Sequence, residues 1–384
     1  MATARKHLKR IAVVLAGRVE YEREVLRGIR DYADGHGDWL LHLEIPGRQV
    51  PRFLADWQPH GVLFQAENLS SAALRAIVEQ RVPAVHLSDS HLELKVPCVG
   101  LDNVAVGRMA AKHLSELGAM NFAYVGVKGR PYSVRRRIAF ASAVTGKVQS
   151  VELPHPGLKR WLAELPEPCA LFAANDQCSL QVITLCRELG LRVPEEIAVL
   201  GVGDDSLICE FARPHLTSIA VPSRRVGFAA AARLDAWLHG RRGRGSTLLA
   251  PGGVVSRQST DLARTDDEQV NRALRFIRAN FARRINIADV VREVGVSRRL
   301  LERRFRLSLG TSPLQELQQA RLQRARHLLV TTAAPLAGIA QQCGYANASQ
   351  FVTAIKRDTG MTPGKYRKTD DPAPVLRMDQ EKER

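Results

Sequence analysis

The sequence predicts a two-lobed α/β unit followed by an all-α unit that carries two helix-turn-helix motifs. Three observations predict it. Short continuous apolar runs alternate with amphipathic stretches over residues 11–202, two helical hairpins of the same residue grammar follow one another within 284–367, and arginine is concentrated over the first hairpin. Alternating buried strands and helices imply an open sheet with helices on both faces. Paired hairpins with a basic outer face imply a DNA reader.

The α/β part begins with the run 11–16 (IAVVLA), whose length and uninterrupted apolarity suit a parallel strand buried on both faces. A helix over 21–33 follows, with Val25, Leu26, Ile29 and Tyr32 on one face. The alternation continues with a strand at 61–64, a helix over 70–80, a strand at 82–87 and an alanine-rich helix over 104–117. A second round opens with the strand 121–126. It adds a helix through Arg137 and Phe140, a strand at 169–174, a helix over 178–189 and a strand at 197–202. Two such halves imply a cleft at the carboxyl ends of their strands. Residues 222–238, with Val226, Ala229, Ala230, Leu234 and Trp237, form a further helix of this part, and the basic, glycine-rich 241–246 reads as a solvated loop in preference to a third DNA contact. The expected boundaries are 10–262 for the α/β domain, 263–269 for a linker, 270–368 for the helical domain and 369–384 for a disordered tail.

In the helical part, Ile287, Val290, Val291 and Val294 recur at helical spacing, Gly295 can end that helix in the left-handed conformation, and Ser297 can cap the next. The second helix buries some combination of Leu300, Leu301 and Phe305, leaving Arg298, Arg299, Glu302, Arg303 and Arg306 outside. The grammar returns downstream. Leu336, Ile339 and Ala340 make a stripe, Cys343, Gly344 and Tyr345 a turn, and Asn347 or Ser349 a cap for a helix carrying Gln350, Phe351, Thr353, Ile355 and Lys356. Between them, 313–330 reads as one helix whose buried side runs Leu314, Leu317, Ala320, Leu322, Ala325, Leu328 and Leu329. Such a spacer would set two reading helices about one turn of DNA, roughly 34 Å, apart.

Charge supports this reading. Arg283 to Arg326 holds eleven arginines against four acidic residues, a net of +7, in a chain whose formal charge is +17. Arginines alone could merely solvate a surface; placed on two helix-turn-helix patterns they point to phosphate and base contacts. No apolar run reaches the length of a membrane span, and the basic start lacks the h-region of a signal peptide. Six cysteines lie mostly in apolar runs without CxxC or zinc spacing, as buried thiols of a reduced, cytoplasmic protein would.

The closing phrase FVTAIKRDTGMTPGKYR (351–367) carries a resemblance to the DNA-binding domain of AraC-family transcription regulators. That resemblance implies two reading helices, 298–305 with Arg299, Glu302 and Arg303 facing bases, and about 348–356 with Ser349, Gln350 and Thr353 outward. The phrases GLDNVAVG (100–107), FAAND (172–176), VPEEIAVLGV (193–202), LTSI (216–219) and VSRQSTD (255–261) resemble the sugar-sensing domain of LacI-type repressors, itself akin to periplasmic binding proteins. Sensor first and reader last is similar to the xylose-operon regulators, from about residue 10 to 368. The resemblance implies a homodimer that binds promoter DNA, works with RNA polymerase as an activator, and answers to D-xylose or a related neutral sugar, with no cofactor.

The same resemblance places Asp176 among hydroxyl-binding residues, against a helix-capping role, and Arg135 or Arg136 as a pocket arginine whose neighbour is exposed. Asp89, after the third strand, and Glu20 or Tyr21, after the first, are candidates by position. Relatives commonly carry an aspartate where this chain has Gly203, followed by Asp204 and Asp205, so one ligand carboxylate is missing or moved by a residue and the preferred sugar is open. An enzyme would need a nucleophile elbow, a phosphate loop with lysine or a metal-spaced histidine set, none of which the sequence contains. A ligand-independent DNA-packaging protein would need no sensor.

Overall fold

A computed structural model describes residues 8–36, 38–79, 82–89, 96–241, 245–261, 267–332 and 334–369. The tail 370–384 and most of the expected linker lie outside the described residues. Contacts divide the chain into two units. The first comprises the chain up to Gly107, Gly129–Ala139 and Val221–Pro251; the second comprises Arg108–Lys128, Phe140–Ala220 and everything from Gly252.

The first unit is built on a six-stranded sheet in the order β11-β5-β4-β3-β1-β2. Its strands are β1 (Lys9–Val14), β2 (Trp39–Glu44), β3 (Gly61–Phe64), β4 (Ala84–His86), β5 (Cys98–Leu101) and β11 (Ser246–Leu249), all paired in parallel. Ile11, Val13, Leu63, Val85 and Val99 pack on one face against helices α1 (Glu20–His36) and α9 (Ser223–Leu238). Ala12, Val14, Val62 and Phe64 pack on the other against α2 (Val50–Trp57) and α3 (Ser71–Glu79). Both faces are covered, which explains the uninterrupted apolar runs. Helices α1 and α9 approach closely because Gly28 and Gly227 face backbone, where a Cβ would come within 1.9 Å of the Arg224 carbonyl oxygen and 2.0 Å of the Val25 carbonyl oxygen.

The first α/β unit is thus not one continuous stretch of the chain. The segment after Gly129, which opens α5 (Pro131–Ala141), and the long α9 both return to it. The expected 82–87 strand is only three residues long, and the expected loop 241–246 ends in β11.

The second unit carries the sheet β12-β10-β9-β8-β6-β7. Strands β6 (Asn121–Val127), β7 (Val148–Leu153), β8 (Cys169–Ala173), β9 (Ile197–Gly203) and β10 (Thr217–Ala220) are parallel, and β12 (Gly253–Val255) closes the edge antiparallel to β10. Helices α4 (Asn103–Ser115), α6 (Leu158–Ala163), α7 (Asp176–Leu189) and α8 (Ser206–Phe211) complete the layers.

The helical part follows in the same unit: α10 (Glu268–Asn280), α11 (Ile287–Val294), α12 (Arg298–Leu309), α13 (Pro313–Thr331), α14 (Leu336–Gln342), α15 (Ala348–Thr359) and α16 (Pro363–Thr369). It has two small cores. Val270, Leu274, Ile277, Val290, Leu301, Phe305 and Leu317 form one; Leu322, Ala325, Leu329, Ile339, Phe351 and Ile355 form the other. The spacer helix α13 contributes to both and so ties the hairpins together. Leu314 does not lie on its buried side as expected. It is 46% exposed in the first turn of α13. All six cysteines are free and buried, and among the described residues no helix is long and apolar enough to cross a membrane.

Candidate effector clusters and nucleic-acid interface

Loops at the carboxyl ends of parallel strands are where such sheets collect polar side chains. In the first unit the segments that follow these strand ends bring Tyr21 and Glu22 (after β1), Glu67 and Asn68 (after β3), Ser88 and Asp89 (after β4) and Asn103 (after β5) to one end of the sheet, where α5 and the residue before it add Arg130, Tyr132, Arg135 and Arg136. Glu22 is buried and accepts from Arg18 N at 2.8 Å and from Asn68 Nδ2 at 3.2 Å. Arg130 Nη1 donates to the Glu67 carbonyl and to Asn68 Oδ1, each at 2.9 Å. Ser88 Oγ donates to Glu67 Oε1. His86 Nε2 lies 3.7 Å from Glu67 Oε2 but accepts the Ala66 N–H at 3.0 Å. A ring nitrogen that accepts carries no proton, so the approach to Glu67 is not an ion pair.

Asp89 is 2% exposed. Its Oδ2 sits 2.9 Å from Arg135 Nη1, which also donates to the Asp89 carbonyl, whereas among the described residues its Oδ1 has no hydrogen-bond partner. Arg136 is buried, donates from Nε to Asn103 Oδ1 at 2.7 Å and stacks 4.9 Å over the Tyr132 ring. Of the two arginines, Arg136 is the buried one, set between an amide and a ring, while Arg135 keeps 32% of its side chain exposed and spends the rest on a buried carboxylate. Of the pair after β1, Glu20 faces outward to Arg23 and Arg27. Tyr21 joins the cluster, and burial, followed by the charge of Glu67, raises its hydroxyl pKa above the usual range. Sequence reading missed Glu22, Glu67, Asn68 and Arg130. Their position just beyond β1, β3 and β6 was the available signal.

In the second unit, Asp176 is 3% exposed at the first position of α7. It is not the cap of that helix, because Asn175 accepts the Cys178 N–H at 2.9 Å. Instead its Oδ1 accepts from Ser218 Oγ at 2.6 Å and its Oδ2 from Asp205 N at 2.9 Å. Burial outweighs these bonds and pushes its carboxyl up to about 6. Glycines make the room: a Cβ at Gly201 would stand 2.3 Å from Asp176 Oδ1, and one at Gly203 2.9 Å from Oδ2. Gly203 has φ +137, a conformation closed to an aspartate, so the missing carboxylate has a structural counterpart. The neighbours do not supply a free replacement. Asp205 caps α8 through Ile208 N at 3.2 Å, and Asp204 pairs with Arg257 at 2.7 Å.

The two hairpins form as expected. Asn286 and Asp289 make a capping box at α11, Gly295 closes it at φ +77, and Ser297 caps α12. Asn347, rather than Ser349, caps α15. Arg298, Arg299, Arg303 and Arg306 are exposed along α12, and Ser349, Gln350, Thr353 and Lys356 along α15. Glu302 is partly covered and pairs with Arg298 at 2.9 Å. Three arginines counted in the basic field are engaged internally. Arg304 pairs with Asp267 at 2.8 Å, Arg326 with Asp358 at 2.8 Å, and Arg321 donates to the carbonyls of Phe281 and Ile285 at 3.0 and 2.9 Å. The outward field is accordingly centred on α12, whereas α15 offers mainly neutral donors.

Residues 111–260 match the model of a periplasmic binding protein-like domain, and residues 290–369 that of a helix-turn-helix domain. The chain is 28% identical to the xylose operon regulatory protein of Escherichia coli K12, covering 93% of this chain and 96% of that one. It is 26% identical to the protein of the same name from Haemophilus influenzae, covering 93% and 98%. A solved structure of a xylose-binding transcription activator superposes with a TM-score of 0.59 at 26% identity, covering 94% of this chain and 98% of that one.

Proposed function

We propose that this chain, a transcription regulator in which a periplasmic-binding-protein-like sensor precedes an AraC-type reader, takes a small neutral pentose, D-xylose or a close relative, as its effector. It works in the cytoplasm as a homodimer on promoter DNA, engages RNA polymerase, activates sugar-catabolic genes, and needs neither cofactor nor catalytic chemistry. The single observation that carries the sugar reading is Asp89, a buried carboxylate fixed by Arg135 through one oxygen, with the other oxygen unpaired among the described residues. A buried acceptor without a donor is costly, and a sugar hydroxyl supplies the donor. Tyr21, Arg135 and Arg136 of the first unit, and Asp176, Asp204 and Asp205 of the second, are the other proposed contributors. For the reader, the contacts are Arg298, Arg299, Glu302, Arg303 and Arg306 of α12 and Ser349, Gln350, Thr353 and Lys356 of α15. Gly203 favours a second reading of the effector, a polyol other than xylose, because it removes a charged partner worth about 1.5–3 kcal/mol.

The test is titration calorimetry with a panel of pentoses and hexoses on wild type and Asp89→Asn, paired with footprinting on the gene's own upstream region. Binding of one sugar, weakened at least tenfold in the variant, and a footprint that changes with that sugar are expected. The same footprint under every sugar, with no heat of binding, overturns the reading.

A further inference from the structure

The polar cluster of the second unit continues away from Asp176 into the segment that leads to the reader. Asp204 adopts a left-handed backbone at φ +53 and donates its N–H to Ser218 Oγ at 3.0 Å, the same hydroxyl that bonds Asp176. Its carboxylate holds Arg257 Nη2 at 2.7 Å in a pair that is largely desolvated, with side chains 6% and 17% exposed. Arg257 Nη1 donates to the Leu216 carbonyl at 3.0 Å, and the Arg257 backbone is fastened on both its N–H and its carbonyl to the Thr217 hydroxyl, at 2.8 and 3.0 Å. Just beyond, Ser259 bridges Thr217 N and the Val199 carbonyl, and Asp261 pairs with Arg278 of α10. Residues 256–261 thus form a strap riveted to β10 and ending on the first reader helix. Between the strap and α10 and α13 lies a cavity of about 310 Å³, whose walls include Arg257, Arg278, Glu316 and Arg324. Space of that size lets α10 shift against the strap without the overpacking that a filled core would impose.

We propose that Arg257 is the positioning residue that ties the seat of the reader to the state of the Asp176–Asp204 cluster. Resting on the effector reading above, the inference is that a ligand which alters the hydrogen bonding of that cluster changes the hold of Asp204 on Arg257. The strap then moves, and α10 with it. The shift is bounded by how differently the ligand binds the two arrangements.

The experiment uses full-length wild type, Arg257→Ala and Arg257→Lys, with D-xylose as the probe. Three readouts are taken: calorimetric affinity for the sugar, the ratio of promoter affinities with and without it, and hydrogen exchange of the α10 amides in the sugar-free protein. In Arg257→Ala the sugar affinity is expected to stay within about threefold, the promoter ratio to collapse toward one, and α10 to exchange about tenfold faster. Arg257→Lys, which keeps a charge for Asp204, is expected to recover part of the ratio. A wild-type ratio in Arg257→Ala overturns the proposal, as does a parallel loss of sugar affinity and melting temperature, which marks a merely structural role. If wild type answers to no sugar, the effector reading fails on its own, and α10 exchange still decides the role of Arg257, unchanged exchange overturning it.

Discussion

Gly344 lies so close to Phe281 that a Cβ built on it would stand 2.2 Å from the Phe281 carbonyl oxygen, and its φ of +74 is one that L side chains rarely adopt. The turn of the second hairpin is therefore pressed against the end of α10, where Arg321 already gathers the carbonyls of Phe281 and Ile285. Gly344→Ala is expected to destabilise the reader by about 2–4 kcal/mol, combining strain with a clash against backbone. Gly338, inside α14 with open space around it, is the control. Gly338→Ala should stabilise by about 0.5–1 kcal/mol. Thermal unfolding of the two variants checks both signs, and sugar affinity should survive in each.

Asp176 gives a pH prediction. Its carboxyl is raised to about 6 from the ordinary 3.8, so the folded protein binds its proton more tightly than the unfolded chain. Stability from this group is fully present below about pH 4 and is lost as pH rises through about 6, the reverse of a salt-bridged carboxylate. Denaturant melts of wild type against Asp176→Asn across pH 4–7 should differ by that falling slope, on the order of 2–3 kcal/mol end to end. Parallel curves would place the proton elsewhere.

Asp267 should show the opposite slope. It caps α10 through Gln269 N and Val270 N and pairs with Arg304 at 2.8 Å; burial opposes ionisation, but these bonds prevail and hold its carboxyl below the usual range. Its contribution is present above pH 4 and fades as pH falls through the lowered value. Asp267→Asn, which can still cap, should remove the acid-side loss in the melting of the reader while costing about 1 kcal/mol or less of cap strength.

Reading by α12 and α15 should differ in kind. Arg299→Ala or Arg303→Ala is expected to erase preference at a base pair worth about 1–3 kcal/mol, and Arg306→Ala to weaken all sequences alike while reducing the salt slope by about one. Gln350→Ala should change preference without changing that slope, since no charge is removed. Binding isotherms at several salt concentrations on matched and mutated promoter fragments separate these outcomes.

Much of this was legible in the sequence, and the reasons are local. Strands β3, β6, β8 and β9 are continuous apolar runs because both sheet faces are buried. The hairpins were legible because Gly295, Ser297 and Asn347 mark ends that few other residues can mark. Strand β2 was not, since WLLHLE at a sheet edge leaves Leu40 and Leu43 nearly half exposed and carries no clear period. Leu314 misled because an apolar residue in a first helical turn can face solvent at little cost. The polar clusters were half legible. Asp89 and Asp176 follow from strand ends and Arg135 from the family resemblance, whereas Glu22, Asn68, Ser218 and Arg257 acquire partners 46, 42 and 53 residues away in the chain, separations on which no local pattern reports.

The first unit's sheet is completed only when β11 pairs with β5, and α1 is covered only when α9 lays Gly227 against it. During synthesis that unit must wait, with its central helix bare, until some 249 residues have left the ribosome, by which time the strands β6 to β10 have already emerged. Helices α12 and α15 emerge later still. A polypeptide released early thus exposes an unfinished sheet to chaperones and proteases, and never presents the helix-turn-helix part without the α/β part before it.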